Sequence, residues 1–212
     1  MNPLRILITA GPTWEPIDPV RYIANRSSGK MGAALAQAAL AAGHSVTLIA
    51  GPITVPMPAV STRIDIQTAQ QMHQAVLAQW PAHDLLIMAA AVADYRPTAS
   101  APAKRESGQP FALQLEPTPD IAAAASEGKR PDQRTIGFSL VAEDQLDRSL
   151  HKLWRKHLDL LVHNPLETMD SPTIKATLLW PDGRREALAS RSKADFADNL
   201  LQRALALFPS MD

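Results

Sequence analysis

Three short apolar runs constrain this chain more than any other feature: Arg5-Ile-Leu-Ile-Thr-Ala10, Ser45-Val-Thr-Leu-Ile-Ala50 and Asp84-Leu-Leu-Ile-Met-Ala-Ala-Ala-Val92. A strand that is apolar on successive residues must be covered on both faces, and a parallel sheet flanked by helices does this. The first run ends at Gly11-Pro12 and the second at Gly51-Pro52, both turn signals. Helix-length segments separate the runs, at about 31–42 and 69–80. Strand, helix, strand, helix, strand at this spacing predicts βαβ units with right-handed crossovers. The expected fold class is therefore α/β: doubly wound and Rossmann-like, with a mainly parallel sheet and helices on both faces.

The remainder reads in the same terms. Strands are expected at 62–67, 111–115, 135–139 and 158–162, and helices from 119, at 143–157 and at 193–207. Residues 164–172 read as loop. Pro181-Asp182-Gly183 between Ala176–Trp180 and Glu186–Leu188 predicts a C-terminal β-hairpin elaboration. No repeat or linker divides the chain, so a single domain over 1–212 is expected.

Composition narrows the function. Lys+Arg and Asp+Glu both count 21, for a formal charge of zero. A nonspecific nucleic-acid or anionic-membrane binder draws its affinity from a basic excess that is missing here. With no Cys, disulfides, thiolate metal sites and a thiol nucleophile are excluded. The six His show no metal-ligand spacing such as H-E-x-x-H. No apolar run is long enough to span a bilayer. The first strand begins almost at the N-terminus with no signal-peptide pattern, and a cytoplasmic location is expected.

Ligands of an open parallel sheet bind beyond the carboxyl ends of its strands. Three segments leave those ends with unusual content. Residues 11–29 form a loop far longer than the ~2–6 residues usual between strand and helix. Its end, Asn25-Arg26-Ser27-Ser28-Gly29-Lys30, is polar and cationic ahead of an Ala-rich helix. Backbone N–H groups and hydroxyls at a helix N-terminus can hold a phosphate or carboxylate. Ser28 acting as a helix cap would account for one residue, but capping does not need Asn25, Arg26 and Lys30 as well. The glycine spacings of a Walker loop and of G-x-G-x-x-G are both absent, which counts against a nicotinamide oxidoreductase.

The second segment starts at Ala93-Asp94-Tyr95-Arg96 and reaches Lys104-Arg105. Asp94 follows an apolar strand, where a ligand-reading side chain would project, though a turn residue would look the same. Residues 95–110 read as a mobile loop. In the third, Glu116-Pro-Thr-Pro-Asp-Ile121, Thr118 and Pro119 have the look of an N-cap and N1 pair. Lys152 and Lys156 share one helical face, with Arg155 beside them. A solvated face would read identically.

At these residues the chain resembles the phosphopantothenoylcysteine synthetases of coenzyme A biosynthesis. The resemblance is carried by "ILITAGPTWEPIDPVRYIANRSSGKMG", "AAAVADYRP", "IGFS", "KLWRKHLDLLVHN" and "SKADFADNLL". Many bacterial members are fused behind a flavin-dependent decarboxylase domain. This chain corresponds to the synthetase part alone, free-standing or excised.

The resemblance implies a ligase. It would activate the carboxylate of 4′-phosphopantothenate with CTP as an acyl-cytidylate, release pyrophosphate, and form an amide with L-cysteine as CMP leaves. It further implies Mg2+ with the triphosphate, ligands left open, and a homodimer, for which the 164–190 region is the expected interface. Asn25 matches the Asn that handles the acyl-cytidylate. Lys104 matches a loop Lys that closes over the triphosphate. The nucleotide is expected at Ala89, Ala90, Asp94, Lys104, Thr118, Pro119, Asp120, Ile121, Phe138, Lys152 and Lys156. The phosphorylated acid is expected at Gly11, Thr13, Asn25, Ser27, Ser28, Gly29 and Lys30. Departures from the family pattern are Pro12 for a second Gly, Thr118 for the Asn of Asn-Pro-Asp-Ile, a shorter, Lys-poor loop, and "SLVAED" for Ala-Ala-Glu-Thr, which leaves the carboxylate either missing or shifted to Glu143. The alternative reading is a nucleotide-binding regulatory protein of the same fold with little or no turnover.

Overall fold

The computed structural model describes residues 2–209 apart from 105, 107 and 170. Strand β1 (Arg5–Ala10) leads into a small hairpin, β2 (Trp14–Pro16) and β3 (Tyr22–Ala24), and then α1 (Lys30–Ala41). Next come β4 (Ser45–Ala50), β5 (Thr62–Asp65), α2 (Ala69–Gln79) and β6 (Leu85–Met88). A second small hairpin, β7 (Tyr95–Pro97) and β8 (Leu115–Pro117), precedes α3 (Ile121–Glu127) and β9 (Arg134–Val141). The chain ends with α4 (Leu146–Arg155), β10 (Leu160–Pro165), β11 (Thr173–Leu179), β12 (Arg185–Ser192) and α5 (Lys193–Leu205).

The main sheet has eight strands in the order β12-β11-β10-β9-β6-β1-β4-β5. In that order the strands from β10 to β5 run parallel, while β11 and β12 add as antiparallel strands at the β10 edge. The strand order reverses between β1 and β6, and a crevice opens outside the carboxyl ends at such a switch point.

Alternation along the strands assigns the faces. Ile6, Ile8 and Ala10 pack with Leu35, Ala36 and Ala39 of α1 and with Phe196, Leu200 and Leu201 of α5. Leu7, Ile49 and Leu86 point the other way, onto Met72 and Val76 of α2 and Ile121 and Ala125 of α3. Leu150 and Leu153 of α4 cover Leu161 and Leu179 on that second face. The doubly wound expectation therefore holds. Each fully buried Leu, Ile or Phe contributes about 1.5–3 kcal/mol, so these layers hold the strand tips in place.

Boundaries differ where side chains compete for backbone. β6 stops at Met88 rather than running to Val92 because the end of β1 and the loop after it capture the N–H groups of residues 90, 91 and 93. Ala90 N donates to Thr9 Oγ1 (3.3 Å), Ala91 N to Gly11 O (2.9 Å) and Ala93 N to Thr13 Oγ1 (3.0 Å). The expected strand at 111–115 lies instead at Leu115–Pro117, where it pairs with β7. α4 is shorter than 143–157, and the C-terminal hairpin is longer than expected, with a register irregularity between Ile174 and Ala176.

The β2–β3 hairpin sits inside a segment read as loop. Trp14 stacks on Tyr22 with ring centroids 4.1 Å apart. Asp18 Oδ1 accepts from Val20 N (2.9 Å) and Arg21 N (2.8 Å), closing the turn. The buried Glu15 carboxylate accepts from Ala69 N (2.8 Å), the first residue of α2, and so fastens the hairpin to the sheet edge.

Candidate active site

A cleft of ≈690 Å3 opens at the carboxyl ends of β1, β6, β9 and β10. One bank is the start of α1. Its N-cap is Gly29, not Ser28, in the left-handed region at φ 79, and no side chain caps the helix. The N–H of Ala33 is taken by Gly29 O (3.0 Å). The N–H groups of Lys30, Met31 and Gly32 have no acceptor among the described residues, and those residues line the cleft. With the helix dipole behind them, they are suited to an anion. Ser27 Oγ accepts from Gly29 N (3.4 Å), which folds the loop over the helix start. Gly32 lets the helix lie close on β1: a Cβ there would stand 2.4 Å from Ala10 Cβ.

The back wall is the segment after β6. Asn25 Nδ2 donates to Val92 O (2.8 Å), fixing its amide on the cleft wall, with its second N–H and its oxygen unused by that bond. Thr118 N donates to Asp94 O (3.0 Å) and Thr118 Oγ1 to Ala93 O (2.6 Å). The β7–β8 hairpin is therefore pinned to the wall at both its ends.

The second bank is cationic. Lys152 Nζ donates to Phe138 O (2.7 Å) within β9, one residue beyond the last pairing of β9 with β6. Burial pushes the Lys152 ammonium down to about 8; the charges of Lys156 and Arg148 act the same way, and those of Asp94 and Asp120 oppose it. Lys156 Nζ donates to Asp120 Oδ1 (2.8 Å), while Asp120 Oδ1 also accepts from Ala123 N (3.1 Å). Asp120, not Thr118, is thus the N-cap of α3. Burial raises the Asp120 carboxyl, but the Lys156 hydrogen bond, the Ala123 N–H and the Lys156 and Arg155 charges outweigh it and hold it below the usual value.

Of the residues singled out from sequence, the cleft brings together Asn25, Ser27, Ser28, Gly29, Lys30, Ala89, Ala90, Asp94, Thr118, Pro119, Asp120, Ile121, Phe138, Lys152 and Lys156. Gly11 and Thr13 do not line it. They stand behind the wall and act through the N–H groups of Ala91 and Ala93. Lys104 is exposed in the segment between β7 and β8 and does not line the cleft, and Arg105 lies outside the described residues. Glu143 does not line it either, because it is paired with Lys175.

Sequence reasoning missed Asn164, Thr168, Ile174 and Lys193, which also line the cleft. Asn164 Nδ2 donates to Thr168 Oγ1 (2.9 Å), and that hydroxyl donates onward to Pro165 O (2.7 Å). The Asn164 oxygen is left buried with no protein partner among the described residues. No sequence signal singles it out, because Asn164 lies inside β10 and only the structure shows its orphaned oxygen. No group of three or more His, Cys, Asp or Glu that could hold a metal occurs among the described residues. No helix there is long and apolar enough to cross a membrane.

The family described as the DNA/pantothenate metabolism flavoprotein C-terminal domain matches residues 1–207. A coenzyme A biosynthesis bifunctional protein CoaBC from Vibrio vulnificus strain YJ016 is 43% identical over 209 residues, covering 95% of this chain and 52% of its own length. The CoaBC of Escherichia coli K12 is 40% identical over 188 residues, covering 85% and 46%. The chain thus spans about half the length of these curated relatives. A crystal structure of the C-terminal domain of a CoaBC superposes with TM-score 0.81 at 35% identity, covering 94% of this chain and 93% of that one. A Cab2 variant solved in complex with phosphopantothenate-cysteine shares the fold, with TM-score 0.78 at 18% identity, covering 96% and 85%. On the family match and these identities, the chain belongs to the DNA/pantothenate metabolism flavoprotein C-terminal domain family, as a phosphopantothenoylcysteine synthetase-type domain.

Proposed function

We propose that this domain joins 4′-phosphopantothenate to L-cysteine, with CTP as the activating nucleotide. The observation that carries the reading is that Asn25 lines one cleft together with two anion-attracting banks, one of backbone N–H groups and one of lysines. A triphosphate and a phosphorylated carboxylic acid are both anions, and holding them together is much of the work of the first step.

In the first step a carboxylate oxygen of the acid attacks the α-phosphorus, forming the acyl–O–P bond as the bond to pyrophosphate breaks. Lys152 and Lys156 stabilise charge moving onto the leaving group. The N–H groups of Lys30–Gly32 and the Ser27 and Ser28 hydroxyls hold the acid's phosphate. In the second step the cysteine amine attacks the acyl carbon, the C–O bond to CMP breaks, and the amine proton leaves to solvent. Asn25 donates its second amide N–H to the oxygen that becomes negative. The buried Asn164 oxygen offers an acceptor for a ligand O–H or N–H.

Magnesium would arrive with the triphosphate, since the described residues offer no cage for it. Asp94 is assigned to the nucleotide. Lys104 would reach the cleft by movement of the hairpin pinned at Asp94 and Thr118, excluding water from the anhydride. The second copy of a homodimer would contact the 164–190 region, which scattering in solution tests.

The position of Lys104 outside the cleft favours a second reading, a regulatory protein that binds nucleotide without turnover. Pyrophosphate release from CTP, 4′-phosphopantothenate and cysteine separates the two. Release that requires the acid supports the ligase, and tight CTP binding without release supports the regulator.

A further inference from the structure

Three buried polar side chains meet on the face of the sheet covered by α4. Ser139 of β9 and His163 of β10 are register partners on adjacent strands. Ser149 of α4 lies over both: its Oγ is 3.0 Å from Ser139 Oγ and 2.9 Å from His163 Nδ1. Ser149 is fully buried and the other two are 3% exposed. The proposed chemistry uses none of them. Burial holds the His163 imidazole below its ordinary value, against the opposing pull of Glu143, so the ring is neutral near pH 7.

The apolar contacts of Leu150 and Leu153 with Leu158, Leu161 and Leu179 tolerate sliding, because burial is not directional. The polar contact does not. A step of one residue moves Ser149 by about 1.5 Å and turns it by about 100°, leaving a hydroxyl and a ring nitrogen buried without partners, which is costly. Lys152 and Lys156 continue the Ser149 stripe by one turn and two. The strand makes the match consecutive: Ser139 meets Ser149, and the carbonyl of the preceding Phe138 meets Lys152 Nζ.

We infer that the Ser139–Ser149–His163 contact is a positioning device, fixing the register of α4 so that Lys152 and Lys156 project into the cleft. The inference rests on the nucleotide reading above for its consequence, but not for its geometry. Ser149 and His163 are positioning residues acting through the lysines.

The test uses Ser149→Ala, His163→Asn, Lys152→Ala and the double variant Ser149→Ala/Lys152→Ala. Ser149→Ala is expected to raise the KM for nucleotide about tenfold and to lower kcat as well, because the same lysines act on the leaving group, while the KM for 4′-phosphopantothenate stays within about twofold. His163→Asn, which keeps a polar group near the position of Nδ1, should leave the nucleotide KM within about threefold of wild type. In the Lys152→Ala background the Ser149 substitution adds little, because the two act as a unit. A readout without nucleotide is the NMR titration of Lys152, expected at about 8 in the wild type and moving up toward 10.5 in Ser149→Ala as the ammonium relaxes into water. The inference is overturned if Ser149→Ala leaves both the titration and the nucleotide KM unchanged, or if its loss simply adds to that of Lys152→Ala. If the titration moves but Lys152→Ala leaves the nucleotide KM intact, the nucleotide reading fails and the positioning role stands.

Discussion

The two banks of the cleft carry positive potential in different ways. At α1 it resides in the backbone: an uncapped helix start, held by Gly29 in the left-handed region and pressed onto β1 through Gly32. At α3 and α4 it resides in two long side chains that already have partners, Phe138 O for Lys152 and Asp120 for Lys156. A backbone site cannot be titrated or re-aimed, so it suits a ligand group that stays in place. Lysines held by single hydrogen bonds can shift toward a group whose charge moves during the reaction. Asn25, fastened to Val92 O, lines the same cleft as both.

The contrast between the banks is disturbed most severely at its centre. Asn25→Asp replaces a donor by an anion where negative charge develops, and amide formation should fall by about 10²–10³-fold while CTP binding measured by calorimetry persists. Wild-type turnover in this variant would remove Asn25 from the proposed chemistry.

Next in size, Gly32→Ala should separate α1 from β1, costing about 1–3 kcal/mol in urea unfolding. It should also weaken binding of the phosphorylated acid more than that of nucleotide. An equal loss at both substrates would show that the banks are not independent.

A third prediction turns on Lys152. Between about 8 and 10.5 the unfolded chain binds a proton that the folded protein has released, so stability gains from this group as pH rises through that window. Lys152→Met should flatten that part of the pH–stability curve and raise Tm at pH 7, while weakening nucleotide binding about tenfold. In the wild type, nucleotide affinity should decline once pH passes about 8. The α1 bank should show no such decline, which titration with the acid alone would reveal.

The smallest effect is expected at Glu143→Ala. The exposed Glu143–Lys175 pair stands apart from both banks, and turnover should stay within about twofold. A large loss would restore the carboxylate role that its contact with Lys175 argues against.

Much of this was legible in the sequence, for identifiable reasons. The parallel sheet showed in β1, β4 and β6, because strands buried on both faces carry continuous apolar runs. The α1 bank showed in Asn25–Lys30, because polar residues ahead of an Ala-rich helix have no packing explanation. The early end of β6 was not legible: Ala89–Val92 continues the apolar run, and only Thr9, Gly11 and Thr13, distant in sequence, divert the N–H groups of residues 90, 91 and 93. The β2–β3 hairpin was hidden by strands of three residues among prolines, since its order comes from the Trp14–Tyr22 stack and the Glu15 contact with α2. Asn164 escaped because its significance lies in a missing partner, a property of three dimensions.

The proposed chemistry requires that one cleft hold nucleotide and acid together and couple them. Purified protein given CTP, 4′-phosphopantothenate and cysteine, with pyrophosphate followed continuously, puts this coupling to the test. Release is expected only when the acid is present, with CMP and amide formed in equal amounts once cysteine is added. Saturable CTP binding with no pyrophosphate from the complete mixture would contradict it.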